Sequence, residues 1–206
     1  MRAILEKIIQ TPEFHGRWLS TLSYLELCGA KKIAAYMPKR MFSGLSSQEE
    51  EREILQHSAE EFRHAYFFHQ QLEKVENRHL GRFSGSYVTR YLHLLDLHIS
   101  RLLRNLNYKN LKRGSYLLTT FAIEKRAQTL YALYQELLKE NQIPISLRSI
   151  LAEEENHLFQ IERQICDDAH LVSVKEEALL CEQRLYSRFL ESLEREMEKE
   201  VIYGKI

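Results

Sequence analysis

The stretch Ala59-Glu60-Glu61-Phe62-Arg63-His64 recurs 93 residues later as Ala152-Glu153-Glu154-Glu155-Asn156-His157. Both copies fit the pattern A-E-E-x-x-H, in which a glutamate precedes a histidine by three positions. On a helix this spacing is about 60° around the axis and one turn along it, so both side chains leave the same face. Two such pairs that meet in a helical core form a site for two metal ions. The repeat therefore predicts a helical protein with a metal centre.

The composition favours long helices in one domain. A chain of 206 residues is long enough for one well-cored domain and short for two, so we predict a single domain over 1–206. Only 7 glycines and 3 prolines interrupt it, and this scarcity favours long helices over many short strands.

Charge and cysteine content limit the partners and the location. Lys plus Arg equals Asp plus Glu at 29 each, so no overall field attracts nucleic acid or an acidic membrane. The 3 cysteines lack C-x-x-C spacing, and neither a zinc ribbon nor a disulfide framework is indicated. Free thiols fit a reducing cytosol, and no stretch approaches the ~18 uncharged apolar residues of a membrane span. We expect a cytoplasmic protein with no membrane span and no nucleic-acid partner.

Helical periodicity and capping signals divide the chain into six helical segments. Thr11-Pro12-Glu13 starts the first and Pro38 stops it, a loop covers 38–47, and a capping box at Ser47 starts the second. A break at Asn110 to Gly114 precedes the fourth segment. The predicted helices span 12–37, 48 to about 77, 87 to about 107, about 115–140, about 146–167 and about 173–201.

Four of these helices carry acids or histidines in the middle of an apolar stripe. In chain order these residues are Glu26, then Glu61 and His64, then Glu124, then Glu154 and His157. Divalent iron and manganese accept carboxylate and imidazole ligands and leave positions open for oxygen or water. Four carboxylates offset the charges of two divalent ions, whereas without metal they would repel one another. We therefore predict that all six residues are metal ligands at a catalytic centre.

This constellation resembles the ferritin-like di-iron carboxylate superfamily over about residues 14–166. The E-E-F-R-H sequence at 60–64 is similar to the [DE]-E-x-R-H motif of its oxygen-activating branch. The resemblance implies an all-α, ferritin-like four-helix bundle (core 12–167) with a helical crossover and an extra C-terminal helix (173–201). It also implies two Fe ions, with Mn/Fe or Mn/Mn as alternatives because these metals share ligand preferences.

The chain differs from several branches of this superfamily, and these differences indicate which members it resembles most. The chain has Phe68 where reductase subunits of the tyrosyl-radical type carry tyrosine. Ferritins generally lack the second Glu-x-x-His, and rubrerythrins carry a cysteine-ligated iron module that is absent here. The two histidines fit the oxygenase and oxidase members better.

Three charged residues beside the ligands are predicted to orient them. Ligand imidazoles usually donate their other N–H to a carboxylate or a carbonyl group. We expect Glu60 to reach His157 on the facing helix and Glu153 to reach His64, with Arg63 as a partner for one of these acids.

The surroundings of the centre leave alternatives open. His57 is either a third imidazole near the metals or a hydrogen-bonded core histidine. Gly29 leaves room either for a substrate or for close helix packing. Phe68 and Tyr131 line a cavity or belong to the plain core, and Tyr131 is a candidate for electron transfer.

Other side chains carry weaker signals. His93, Asp96 and His98 could add a ligand, although a solvated or capping role is the simpler interpretation. The last helix is most simply a solvated cover over the bundle, and its Leu and Phe face could instead form a homodimer contact.

The first functional hypothesis is an enzyme: an oxygen-activating di-iron oxidoreductase acting on a small hydrophobic or aromatic substrate. Its partners would be dioxygen, the organic substrate and an electron donor such as a ferredoxin or a reductase. The alternative is a metal-handling or oxidant-scavenging protein of the ferroxidase, peroxidase or manganese catalase type. A structural bundle without metals is a third, and a basic stripe at Lys109, Lys112 and Arg113 leaves a tRNA-modifying oxygenase open.

Overall fold

The computed structural model describes residues 1–36, 41, 47–75 and 81–202. Within these residues the chain is all-α, and the predicted fold class is confirmed at that level. The helices are α1 (Arg2–Gln10), α2 (Pro12–Tyr36), α3 (Gln48–Gln70), α4 (Ser86–Asn105), α5 (Leu111–Glu140), α6 (Arg148–Cys166) and α7 (Ala169–Ile202), with a short 3₁₀ helix (Gln71–Val75) after α3.

The N-terminal helices begin near the predicted signals. α2 starts at Pro12, whose missing N–H is no loss in a first helical turn. α3 starts after Ser47, whose side-chain oxygen accepts a hydrogen bond from the Glu50 N–H at 3.1 Å. The predicted stop at Pro38, most of the 38–47 loop and the predicted end near residue 77 lie outside the described residues. α1 is an additional helix, and its Leu5 and Ile8 are fully buried.

The start of α5 corrects the prediction. Gly114 does not break the chain but lies inside the helix, which begins at Leu111. The Asn110 side chain caps this end by accepting a hydrogen bond from the Arg113 N–H at 3.3 Å. The glycine is needed for packing, because a Cβ at residue 114 would lie 2.7 Å from Tyr108 Cε1.

The last helix also begins earlier than predicted, at Ala169 rather than near residue 173. Asp168 Oδ1 accepts hydrogen bonds from the N–H groups of His170 and Leu171 at 3.0 and 3.4 Å. This aspartate is therefore the N-terminal cap, a role that its side chain commonly takes.

Two antiparallel helix pairs bring the two Glu-x-x-His motifs to the same level of the fold. α2 packs against α3, and α5 packs against α6. In the first pair, Ser23 Oγ donates to the Ala65 carbonyl while Gly29 lies beside Glu61. In the second pair, Arg113 contacts Gln164 near one end and Gln135 contacts the Leu147 N–H near the other.

α4 and α7 cover the outside of these pairs. α4 packs on α7 and α5, and the Tyr91 hydroxyl donates to Glu182 at 2.6 Å. On α7, Phe189 is buried, and the centroid of its ring lies 6.4 Å from that of Trp18 on α2. The apolar face predicted for the last helix therefore covers the core, with Leu185 and Leu193 also buried. None of the helices in the described residues is long and apolar enough to cross a membrane.

Candidate metal centre

The structure brings the six predicted ligand residues together. Glu26 comes from α2, Glu124 from α5, and one Glu-x-x-His pair from each of α3 and α6. All six side chains are buried, with exposures between 1% and 8%. Each arrives on the apolar face of its helix because the 3.6-residue period puts it in register with buried leucines, isoleucines and aromatics.

Potential ligand atoms form two groups that share one carboxylate. In each group the four atoms lie within 4.8 Å of one another. The first group contains Glu26, Glu61, His64 and Glu154, and the second contains His57, Glu61, Glu124 and His157. Glu61 belongs to both groups, so its carboxylate could serve an ion held in either group.

His57 holds a position that the sequence left open. Its Nε2 lies 3.1 Å from Glu124 Oε1 and 3.6 Å from Glu61 Oε1. Its ring is 3.9 Å, centroid to centroid, from that of His157. It is thus a hydrogen-bonded core histidine that also belongs to the second group of candidate ligands.

Unpaired polar atoms point into the centre. Glu154 has both carboxylate oxygens buried, and neither forms a hydrogen bond within the described residues. Three more buried atoms also lack a hydrogen-bond partner within the described residues: Glu61 Oε1 and the Nδ1 atoms of His64 and His157. His64 Nδ1 does lie 3.1 Å from Glu154 Oε1, but without hydrogen-bond geometry. Buried polar atoms normally have partners, so this set fits the coordination of metal ions.

The Nε2 atoms of His64 and His157 each contact a glutamate on the opposite helix of the α3–α6 pair. His157 Nε2 lies 2.7 Å from Glu60 Oε2, and His64 Nε2 lies 2.7 Å from Glu153 Oε2. Arg63 Nη2 donates to Glu153 at 2.6 Å and lies 3.9 Å from Glu60. The contacts expected from the sequence are therefore present, and they leave each Nδ1 directed at the centre.

The other side chains considered from the sequence surround the carboxylates. A Cβ at Gly29 would lie 3.1 Å from Glu61 Oε2, so the glycine leaves room for this carboxylate. Phe68 packs on the Tyr131 ring at 5.5 Å, and the Tyr131 hydroxyl donates to Glu26 Oε1. These residues form the immediate wall of the centre.

The crossover residues lie elsewhere. His93 and His98 are exposed on α4. Asp96 pairs with Lys32 at 2.6 Å and accepts from Ser115 at 2.7 Å. None of the three belongs to either group of candidate ligands.

Burial and neighbouring charge divide the acids into two kinds. Burial raises the pKa of Glu26 and of Glu124 well above the ordinary value, and the nearby Glu61 carboxylate raises both further. Burial acts in the same direction on Glu61, but the imidazoles of His57 and His64 outweigh it and hold the pKa of Glu61 at about 2. The metal-free centre therefore keeps some carboxyl groups protonated.

The pKa values of the imidazoles also shift in opposite directions. Burial lowers the pKa of His64, but contacts with the Glu154 and Glu61 carboxylates outweigh it and raise this pKa to about 12. The pKa of His157 is raised for the same reason, whereas burial lowers that of His57. Protons thus take the place of cations in the metal-free centre, and metal binding has to release them.

A cleft that the sequence analysis missed opens between α2, α4 and α5. It has a volume of about 860 Å³, and its polar and aromatic wall includes Lys32, Tyr36, Asp96, Arg104, Lys112 and Tyr116. We call it the α2–α4–α5 cleft. Periodicity could not find it because its charged residues lie on three helices, and only their packing brings them together.

The chain was compared with models of known protein families, with curated proteins and with solved structures, and none of the three comparisons gave a match.

Proposed function

We propose that the protein is an oxygen-activating di-metal carboxylate oxidoreductase with a ferritin-like four-helix bundle formed by α2, α3, α5 and α6. The observation that carries this proposal is the pair of four-residue groups that share Glu61 and enclose unpaired, buried carboxylate and imidazole atoms. Such donor sets suit divalent iron and manganese. We propose two Fe ions, with Mn/Fe and Mn/Mn as the alternatives.

The ligands divide between the two positions. Glu26 and His64 would hold one ion, and Glu124 and His157 the other, with Glu61 shared between them. Glu154, which belongs to the first group, lies 3.6 Å from His157 Nδ1 and so faces both positions. When bound, two such ions supply the electrons and open coordination positions for reaction with dioxygen.

The chain itself orients the ligands and excludes water. Glu60 and Glu153 accept from the outer nitrogens of His157 and His64, which fixes both rings. The Tyr131 hydroxyl donates a hydrogen bond to Glu26 and holds one of its oxygens. Glu26, Tyr131 and the two histidines are buried, which keeps bulk water from competing for the centre.

An organic substrate is favoured over metal storage or oxidant scavenging. A ferroxidase or catalase needs no organic cavity, whereas the α2–α4–α5 cleft has the volume of a small-molecule site. An external electron donor, such as a ferredoxin or a reductase, would supply reducing equivalents.

Reconstitution of purified protein with Fe(II) under anaerobic conditions tests the proposal. We expect two metal equivalents per chain and rapid oxygen consumption after mixing with dioxygen. Glu61→Ala and His157→Ala should each lower both, because each removes a donor that no neighbour replaces. The control is Glu155→Gln, which changes an exposed carboxylate next to Glu154. Full metal loading and oxygen consumption in the Glu61 or His157 variant would overturn the proposal.

A further inference from the structure

The α2–α4–α5 cleft carries more positive than negative charge. Three of its lining side chains are cationic and one is acidic. Asp96 is engaged by Lys32 Nζ at 2.6 Å and by Ser115 Oγ at 2.7 Å, so the charges of Lys32 and Asp96 offset each other. Arg104 and Lys112 are exposed at the cleft, and neither forms an ion pair within the part of the chain that the structure describes. Two positive charges therefore remain for a ligand.

The inner wall of the cleft is aromatic. The rings of Tyr36 and Tyr116 are stacked, with centroids 4.4 Å apart and planes at 11°. Tyr116 lies eight residues, or about 12 Å along α5, before the candidate ligand Glu124, so the same helix carries the cleft wall and a candidate ligand.

A small ligand fits this charge pattern better than an RNA does. Arg113, the third member of the basic stripe, faces Glu50 at 3.7 Å and donates to Gln164 at 3.4 Å. With Lys32 offset by Asp96, the described lining residues leave two cations, which are few for a chain of phosphates. Arg104 on α4 and Lys112 on α5 together can bind a single anionic group.

We propose that the α2–α4–α5 cleft binds a small aryl carboxylate, with its carboxylate at Arg104 and Lys112 and its ring against the Tyr36–Tyr116 pair. Flat rings stack on tyrosine faces, and guanidinium and ammonium groups bind carboxylates through charge-assisted hydrogen bonds. The assignment of this anion as the substrate rests on the proposed function, whereas its binding in the cleft does not.

Calorimetric titration of the metal-free protein tests binding alone. The probes are benzoate and its neutral isostere benzamide, and the variant is Arg104→Gln/Lys112→Gln. We expect benzoate to bind at least about tenfold more tightly than benzamide, and the double variant to lose about tenfold in benzoate affinity, because charge-assisted bonds are lost. The matched control is Arg101→Gln, an exposed cation of α4 outside the cleft, which should bind benzoate as the unchanged protein does.

Several results would overturn the cleft assignment. They are no measurable benzoate binding, equal affinity for benzamide, an equal loss in Arg101→Gln, or tRNA binding that depends on Arg104 and Lys112 and excludes benzoate.

The substrate assignment has its own spectroscopic readout. In Co(II)-loaded protein, benzoate should change the visible absorption of the metal, and at the same concentration it should not do so in the double variant. Benzoate binding without a spectral change would overturn the substrate assignment. A chain that binds benzoate but retains no metal would contradict the proposed di-metal function and leave the cleft assignment standing, so the two failures are distinguishable.

Discussion

Gly29 determines how closely α2 can approach the shared carboxylate. A Cβ built there would come within 3.1 Å of Glu61 Oε2, which is closer than an ordinary van der Waals contact. In the metal-free protein the Glu61 side chain would have to shift by a few tenths of an ångström, and no bound ion would oppose that shift. Two bound ions would remove that freedom, so the same methyl group would affect the two states differently.

Gly29→Ala should therefore lower the metal affinity without lowering the stability of the metal-free protein. In the metal-free protein we expect unchanged or slightly higher stability, because alanine is favoured over glycine within a helix by about 0.5–1 kcal/mol. Metal affinity should fall on the order of tenfold, as for other groups that position a ligand. Thermal unfolding with chelator and a competition titration with metal measure the two effects. Unchanged metal affinity would show that Glu61 relaxes freely.

The six ligand residues were predictable because helical spacing carries the required information. Each acid or histidine stood inside an apolar stripe, and a buried charge in such a stripe needs a partner. The position of His57 depends instead on contacts with Glu124 and His157, which lie 67 and 100 residues away in the chain. Spacing on one helix cannot supply such information.

At the level of the helices, the connection from α4 to α5 is a place where the predicted chain break at 110–114 was wrong. Asn110 and Gly114 are typical turn residues, yet one caps α5 and the other lies in its first turns. Gly114 faces Tyr108, whose hydroxyl donates to Asp168 at 2.6 Å and so fixes the ring. The glycine reflects a close tertiary contact, and the sequence alone does not distinguish this from a helix break.

Gly114→Ala should destabilise the protein by about 1–3 kcal/mol, because a methyl group forced into a packed site displaces its neighbours. Denaturant unfolding of the metal-free protein measures this loss. Metal stoichiometry should not change, since residue 114 lies about 15 Å along α5 from Glu124.

The matched control for this substitution uses Tyr108→Ala as the background. With the ring removed, the contact with Leu103 Cδ1 at 3.0 Å remains, so the loss caused by the same change at residue 114 should become clearly smaller. An equal loss in both backgrounds would exclude the ring contact as its cause.

For the molecule as a whole, the charges of the centre link stability to pH. The folded pKa of His64 and that of His157 lie above the ordinary value, and so do those of Glu26 and Glu124. The folded state therefore keeps protons that the unfolded state has released, those of the glutamates above about pH 4.3 and those of the histidines above about pH 6.5. Burial lowers the pKa of His57 and that of His15, to about 4 for the latter, and these two favour the folded state as the pH rises toward 6.5.

Metal-free protein should lose stability between pH 6.5 and 8.5. We expect a fall in the free energy of unfolding of about 1 kcal/mol or more per pH unit, the amount that one proton difference produces. Protein loaded with metal should lose much less over the same range, because cations replace the protons. Urea unfolding at several pH values, with chelator and with metal, measures both slopes. A flat profile without metal would contradict this charge assignment.

The crosswise contacts of Glu60 with His157 and of Glu153 with His64 have a consequence for folding. They join positions 97 and 89 residues apart in the chain. Neither histidine can be oriented until α3 and α6 have docked, so a half-folded chain presents no complete binding site. The free energy of metal binding is thus available only to the fully assembled chain, and it adds to folding cooperativity rather than stabilising intermediates.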